Sequence, residues 1–299
     1  MGAGYMTKFH GANKKSCYFE GWYFRNQNDS EVISFIPAFH IDDKGKRSAS
    51  IQMIMNTDSD SITYPIDDFA VSAKKQLGVR IGKNIFTREG IILNILTERV
   101  TVIGELVFSK FVPLKYDIMG PFKYIPFMQC RHSIYSLTHN ITGRLTVNGR
   151  EIIFNQGLGY VEGDRGIEFP KDYLWTQCSW RTKGNNAVVI SVADIPIGKV
   201  AFKGCIGIVY YGGKEYRLAT YLGVKIRRYN KSELWVQQNG YDLQVTLIDE
   251  NPHNLLAPVK GNMTRTVYES IDCRIRYRFM VNRNVIFDFI GRGSFERGL

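Results

Sequence analysis

Three carboxylates stand beside aromatic rings in two short, similar segments. Tyr18-Phe19-Glu20-Gly21 runs into Trp22-Tyr23-Phe24, and Tyr160-Val161-Glu162-Gly163 runs into Asp164-Arg165-Gly166. The two copies start 142 residues apart (160 minus 18) in a chain of 299 residues, which reads as one signature at the head of each of two similar halves. A carboxyl group set against an apolar wall is pushed towards its neutral form, and a carboxylic acid that keeps its proton is what a site needs to protonate a weakly basic substrate. Asp164 is the first choice as proton donor and Glu162 the second. Trp22, Tyr23, Tyr160 and Trp175 are candidate walls of a ligand pocket, with Glu20 among them, because aromatic faces stabilise a cation formed beside them. A structural role competes for each acid. Glu20 could anchor the closed end of a small barrel by pairing with an arginine, with Trp22 as the plug.

Other chemistries find little support. His40, His132 and His139 could relay protons, although a single histidine in a strand is more often a core or rim residue. His132 and His139 differ by an odd offset along one expected strand, so they face opposite ways and do not suggest zinc. No metal and no cofactor is called for. The chain holds no Gly-x-Ser-x-Gly elbow, no Gly-x-Gly-x-x-Gly loop and no Walker-type loop, which removes the serine hydrolase, dinucleotide and nucleoside-triphosphate classes. Cys178 reads as an inert buried thiol.

The elements that must position these residues are strands. Val100, Val102, Leu106 and Phe108 alternate with Arg99, Thr101, Glu105 and Val107, and Cys273, Ile275, Tyr277 and Phe279 alternate with Arg274, Arg276 and Arg278. Alternation of this kind marks half-buried strands. Asn148-Gly149, Gly212-Gly213 and Asn239-Gly240 sit between alternating runs, where hairpin turns need positive φ. No segment carries helical spacing for ten residues; at most a short helical turn is expected, within Asn254–Ser270 or near Pro65–Ala70. The fold class is therefore all-β, as two lipocalin-like antiparallel β-barrels packed together, because closure removes the edges so many apolar strands would expose. The domains are expected at 1–155 and 156–299, with the boundary in the loop after Phe154.

Composition narrows the partners. The 39 basic and 28 acidic residues leave a net charge of +11, but the basic residues are spread as singles and short pairs such as Lys14-Lys15 and Arg227-Arg228, so no nucleic-acid partner is expected. The Arg274, Arg276 and Arg278 face is a candidate contact with anionic membrane. Five scattered cysteines without a Cys-x-x-Cys pair suggest reduced thiols and a cytoplasmic location. No apolar run is long enough for a membrane-spanning helix.

These residues resemble the tocopherol cyclase family. Phe19-Glu20-Gly21-Trp22-Tyr23 is similar to its early motif, and Gly159-Tyr160-Val161-Glu162-Gly163-Asp164-Arg165-Gly166, followed by Phe169-Pro170 and Trp175, is similar to its central one. Gln129-Cys130-Arg131-His132, Ala257-Pro258-Val259-Lys260-Gly261-Asn262 and Glu269-Ser270 resemble the family in the same order. The chain departs from the pattern at Gly163, where lysine is common, at Arg165, where tryptophan is usual, and at Ser179-Trp180, where Asn-His is frequent. The resemblance implies a lipocalin-like double barrel around an apolar, prenylated or isoprenoid ligand, with acid-catalysed cyclisation of a prenyl alkene as the activity. The same scaffold without the chemistry would be a carrier or sensor of such a ligand.

Overall fold

The computed structural model describes residues 9–73, 76–126, 128–197 and 200–298. Alternating sequence becomes two large antiparallel sheets. The first holds β1 (Tyr18–Gln27), β2 (Val32–Ile41), β3 (Arg47–Met55), β4 (Ser59–Tyr64), β5 (Phe69–Val71), β6 (Gly78–Ile81), β7 (Asn84–Thr87), β8 (Gly90–Leu96), β9 (Thr101–Phe108), β10 (Cys130–Val147) and β11 (Arg150–Gly166). Its order is β4-β3-β2-β1-β11-β10-β9-β8-β7-β6-β5. The path curls into a nearly closed barrel whose β4 edge is tied by side chains to β7 and to the turn between β8 and β9. Arg99 donates to Asp58 at 2.7 Å, Thr97 to Asp60 at 2.5 Å, and Asn84 to the Tyr64 hydroxyl at 3.2 Å.

The second sheet holds β12 (Tyr173–Arg181), β13 (Asn185–Ile197), β14 (Val200–Tyr211), β15 (Lys214–Ala219), β16 (Lys225–Tyr229), β17 (Glu233–Gln238), β18 (Tyr241–Asp249), β19 (His253–Val259), β20 (Asn262–Val281) and β21 (Asn284–Gly298). Its order is β15-β14-β13-β12-β21-β20-β18-β17-β16, with β19 on β20. One buried side chain ties its β15 edge to β17: the Gln238 amide donates to the Arg217 carbonyl and accepts from the Ala219 N–H, both at 2.9 Å.

The turn chemistry follows the sequence. Asn148-Gly149, Gly212-Gly213 and Asn239-Gly240 all have positive φ, as do Asn282 and Arg283 at the last hairpin. A 3-10 turn forms at Ile66–Asp68, where a helical turn was expected. The alternative place, Asn254–Ser270, is taken up by β19 and β20, which pair with each other.

The interior of the first barrel is a cluster that includes Trp22, Phe24, Phe35, Phe86, Leu145 and Val161. The second encloses Leu174, Cys178, Val236, Tyr277, Phe279 and Phe295.

The division of the chain differs from the sequence expectation. One compact unit is Met1–Asp117 with Phe127–Phe169 and Leu256–Arg265; the other is Ile118–Pro126 with Pro170–Leu255 and Thr266–Leu299. No break occurs at 155/156, because β11 runs through it without interruption. Gln156 takes φ of 60° within the strand, so the stretch after Phe154 expected to be a boundary loop is an irregularity in a ladder. Both Tyr-x-Glu-Gly copies lie in the first unit. They occupy adjacent paired strands, with Tyr23 opposite Glu162 and Glu20 opposite Arg165. The repeat therefore does not mark two halves.

Candidate functional site

Strand parity divides the expected site residues. On β1 the even positions Trp22 and Phe24 face the barrel core, as Val161 does on β11. Tyr23, Tyr160, Glu162 and Asp164 have the opposite parity and share the outer face of that sheet. Trp22 thus stands in the core, apart from the carboxylates it was expected to line a pocket with. Trp175 is buried on β12 of the second unit.

Glu20 has the inward parity of Trp22 and sits at the barrel end. Its carboxylate accepts the backbone N–H of His10 at 2.8 Å and of Gly11 at 3.1 Å, the Tyr18 hydroxyl at 2.8 Å, and His10 Nδ1 at 3.1 Å. It anchors the 3-10 turn Gly11–Asn13 to β1. The anchoring role expected from sequence takes this form, with backbone amides and a histidine as partners.

On the outer face, β10 pairs with β11 so that His132 lies opposite Asp164 and Ile134 opposite Glu162. The imidazole bridges the two acids, with Nδ1 3.0 Å from Asp164 Oδ1 and Nε2 3.2 Å from Glu162 Oε2. The Tyr160 hydroxyl donates to Glu162 from two residues back along the strand, and the Cys130 thiol donates to Asp164 at 3.5 Å. The result is a run of close contacts, Tyr160–Glu162–His132–Asp164–Cys130, in which the His132–Glu162 link is an ion-pair contact and the others are hydrogen bonds. Its two acids differ in access, for the Glu162 side chain is 7% exposed and the Asp164 side chain 24%.

Burial works against charge on His132, but the Glu162 and Asp164 carboxylates outweigh it and hold the imidazole well above its ordinary pKa. Burial, with Glu162 next, pushes Tyr160 well up, and burial with Asp164 does the same to Cys130. Both therefore stay protonated donors.

His132, Glu162 and Asp164 place ligand atoms within 4.8 Å of one another, the spacing of a metal cluster. The imidazole gives a different nitrogen to each acid, so an ion bound by all three would have to break one of these contacts.

The other two histidines are core residues. Burial holds His40 near 4 and His139 near 3, so both are neutral. His139 packs against Phe108 and Phe111 and bonds Ser136 at 3.0 Å. Glycine at 159 makes room for it, because a Cβ there would lie 2.1 Å from Nε2. The two register shifts along β10 between Ile134 and His139 cancel, so the histidines face opposite ways as their odd offset predicts, His132 outward opposite Asp164 and His139 inward opposite Gly159. A single histidine in a strand reads as a core or rim residue, which holds for His139 and not for His132. Only its pairing with β11, across 32 residues, reveals its two carboxylate partners.

The departures from the tocopherol cyclase pattern acquire local causes. A Cβ at Gly163 would meet the Gly21 carbonyl at 2.8 Å and the Tyr135 ring at 3.0 Å, so glycine permits the close approach of β1 and Tyr135. Arg165 donates to Ser133 at 3.2 Å. Trp180 packs with Tyr211, Phe287 and Phe289 against the second core.

No family model matches the sequence, and no curated protein matches it by sequence. Solved structures do resemble the fold. An AttH-like protein of Nitrosomonas europaea is 13% identical, with 94% of this chain and 92% of that one covered at a TM-score of 0.55. CghA in complex with Sch210972 is 9% identical over 94% of this chain and 88% of its own, at 0.61. Kievitone hydratase from Nectria haematococca is 12% identical over 100% and 92%, at 0.54. The chain has the lipocalin-like barrel fold these proteins share. Among the described residues no helix is long and apolar enough to cross a membrane.

Proposed function

We propose that the protein binds an apolar, prenylated or isoprenoid molecule and moves a proton on it, in the manner of a tocopherol cyclase. The observation that carries this reading is the single imidazole bridging Glu162 and Asp164, with Asp164 the more exposed of the two acids. A charged imidazole between two carboxylates leaves the trio one proton short of neutral. The next proton goes to a carboxyl group, and on Asp164 it is available to a ligand.

The step balances without a cofactor. Asp164 donates its proton to a trisubstituted alkene, giving a tertiary cation, and the cation is attacked by a phenol oxygen of the same ligand. That oxygen then returns its proton to the Asp164 carboxylate. His132 and Glu162 hold the charge distribution steady through the cycle, and the Tyr160 hydroxyl donates to Glu162. Tyr23, on the same face, supplies a ring that stabilises the cation. An acid of this kind contributes about 10²–10⁴-fold to rate.

The likeness to kievitone hydratase and to CghA bound to Sch210972 supports a barrel scaffold that hosts small-molecule chemistry in other proteins. The class of ligand rests on the tocopherol cyclase resemblance.

The test begins with organic extraction of the purified protein and mass spectrometry, where an isoprenoid is expected. A hydroquinone carrying a prenyl tail is then offered to the wild type and to Asp164→Asn. Ring closure by the wild type and its loss in the variant supports the reading. Bound isoprenoid with no turnover by either protein would make it a carrier, and a strongly polar extract would remove the ligand class.

A further inference from the structure

The three arginines singled out in sequence as a membrane strip are not free charges. Arg276 makes a two-pronged contact with Asp288 at 2.8 Å, Arg278 lies 3.7 Å from the same carboxylate, and Arg274 pairs with Asp249 at 3.2 Å. Much of that face's positive charge is cancelled on the spot.

A different part of the second sheet concentrates charge that has no such partner. The antiparallel order of β12 to β18, β20 and β21 brings four hairpin turns, Thr182–Gly184, Gly212-Gly213, Asn239-Gly240 and Asn282-Arg283, to one end of the sheet, together with the start of β16. That end carries Lys183, Lys214, Lys225, Arg227 and Arg283, all exposed. Among the described residues none of the five has an ion-pair partner, whereas the acids nearby are engaged. Asp242, which lines a groove with three of these cations, is held by neutral donors, Trp235 at 2.9 Å, Gln237 at 2.6 Å and Gln244 at 3.0 Å, so one negative charge stands there against three positive ones; Glu215 pairs with Arg217 at 2.9 Å.

Lys225, Arg227 and Arg283 line a single groove of about 590 Å³. Apolar side chains border it. Leu222, next to the groove residue Gly223, is 37% exposed, and Val285, paired with the groove residue Met280, is 51% exposed. Unneutralised cations interspersed with exposed aliphatic side chains fit one surface above others, a lipid bilayer with anionic headgroups. The cations meet the phosphates and carboxylates, and the aliphatic tips enter the interfacial region. A binding face for a soluble anion would have no use for the apolar border.

We propose that this hairpin end of the second unit docks on anionic membrane, with the Lys225–Arg227–Arg283 groove receiving lipid headgroups. This surface stands independently of the proton chemistry at His132, and it would bring the protein to where apolar ligands reside.

The test is co-sedimentation of the full chain with phosphatidylcholine vesicles, with and without phosphatidylserine, at low and high salt. Binding is expected only with phosphatidylserine and should fall as salt screens the charges. The triple variant Lys225→Glu, Arg227→Glu, Arg283→Glu should lose about tenfold or more in partitioning, while Arg274→Ser, Arg276→Ser, Arg278→Ser stays close to wild type. All the altered side chains are exposed or half-buried, and a thermal melt confirms that each variant folds. Leu222→Asp with Val285→Asp should also weaken binding, which tests the apolar border apart from the charges. No binding to phosphatidylserine vesicles, full binding by the groove variant, equal loss in both arginine-containing variants, or capture of inorganic phosphate without capture of vesicles would each overturn the proposal.

Discussion

Glu20 and Glu162 sit in the same tetrapeptide frame on neighbouring strands, and they do different things. Each accepts a hydrogen bond from the tyrosine two residues before it, because residues i and i+2 of a strand share a face. Beyond that point they diverge. Glu20 faces inward at the barrel end, where two backbone N–H groups and His10 complete its shell. Glu162 faces outward and shares one imidazole with a second carboxylate. A carboxylate saturated by fixed donors holds structure, whereas one that competes for a titratable proton can pass that proton on. The motif sets the tyrosine contact, and strand parity decides the role.

The comparison is broken most directly by turnover. Glu162→Gln and Asp164→Asn are expected to lower ring closure by about 10²–10⁴-fold, while Glu20→Gln leaves the rate per folded molecule unchanged. A steady-state assay on the prenylated hydroquinone reads all three. Equal losses would erase the distinction.

Stability should show the reverse order. Glu20→Gln replaces an oxygen that accepts buried N–H groups with an amide that repels some of them, at a cost of about 3 kcal/mol. Glu162→Gln, which keeps the imidazole paired to Asp164, should cost less than half of that in urea denaturation.

The histidines sharpen the contrast through pH. The folded value of His132 lies above its unfolded one, so its stabilisation is complete below about pH 6.5 and fades as pH rises through the raised folded value. His40 and His139, held near 4 and 3 by burial, have the opposite sign. Their contribution is whole above about pH 6.5 and is lost as pH falls towards those values. The stability gap between wild type and His132→Gln should therefore narrow with rising pH, and removing His139 should make stability fall less steeply as the solution is acidified. A gap that stays constant across that range would show that His132 is not held as an imidazolium.

The smallest effect concerns the contact that sets the two strands side by side. Gly163→Ala drives a Cβ into the Gly21 carbonyl and the Tyr135 ring, and should cost about 1–2 kcal/mol while displacing both carboxylates together. A thermal melt measures the cost. No loss of stability would mean that the strands have room to part.

Much of the fold was legible because its cues are local. Alternation at Val100–Phe108 and Cys273–Phe279 became β9 and part of β20, and the Asn-Gly and Gly-Gly pairs became turns with positive φ. The division of the chain was not, because the glycines and asparagine after Phe154 read as a boundary loop when they serve the irregular middle of β11. Part of the outer-face group, Tyr23, Tyr160, Glu162 and Asp164, could be named from residue type beside aromatic rings. His132 could not, since its meaning lies in register between two long strands with bulges. Trp22 was placed with the acids because it is close in sequence, and parity sends it to the other side of the sheet.

The second barrel is drawn shut between β15 and β17 by the primary amide of Gln238, where elsewhere neighbouring strands meet through rows of backbone bonds. A seam held by a side-chain amide opens at lower free energy than the backbone ladders around it. Deuterium should reach the Ala219 N–H before it reaches the middle of β13.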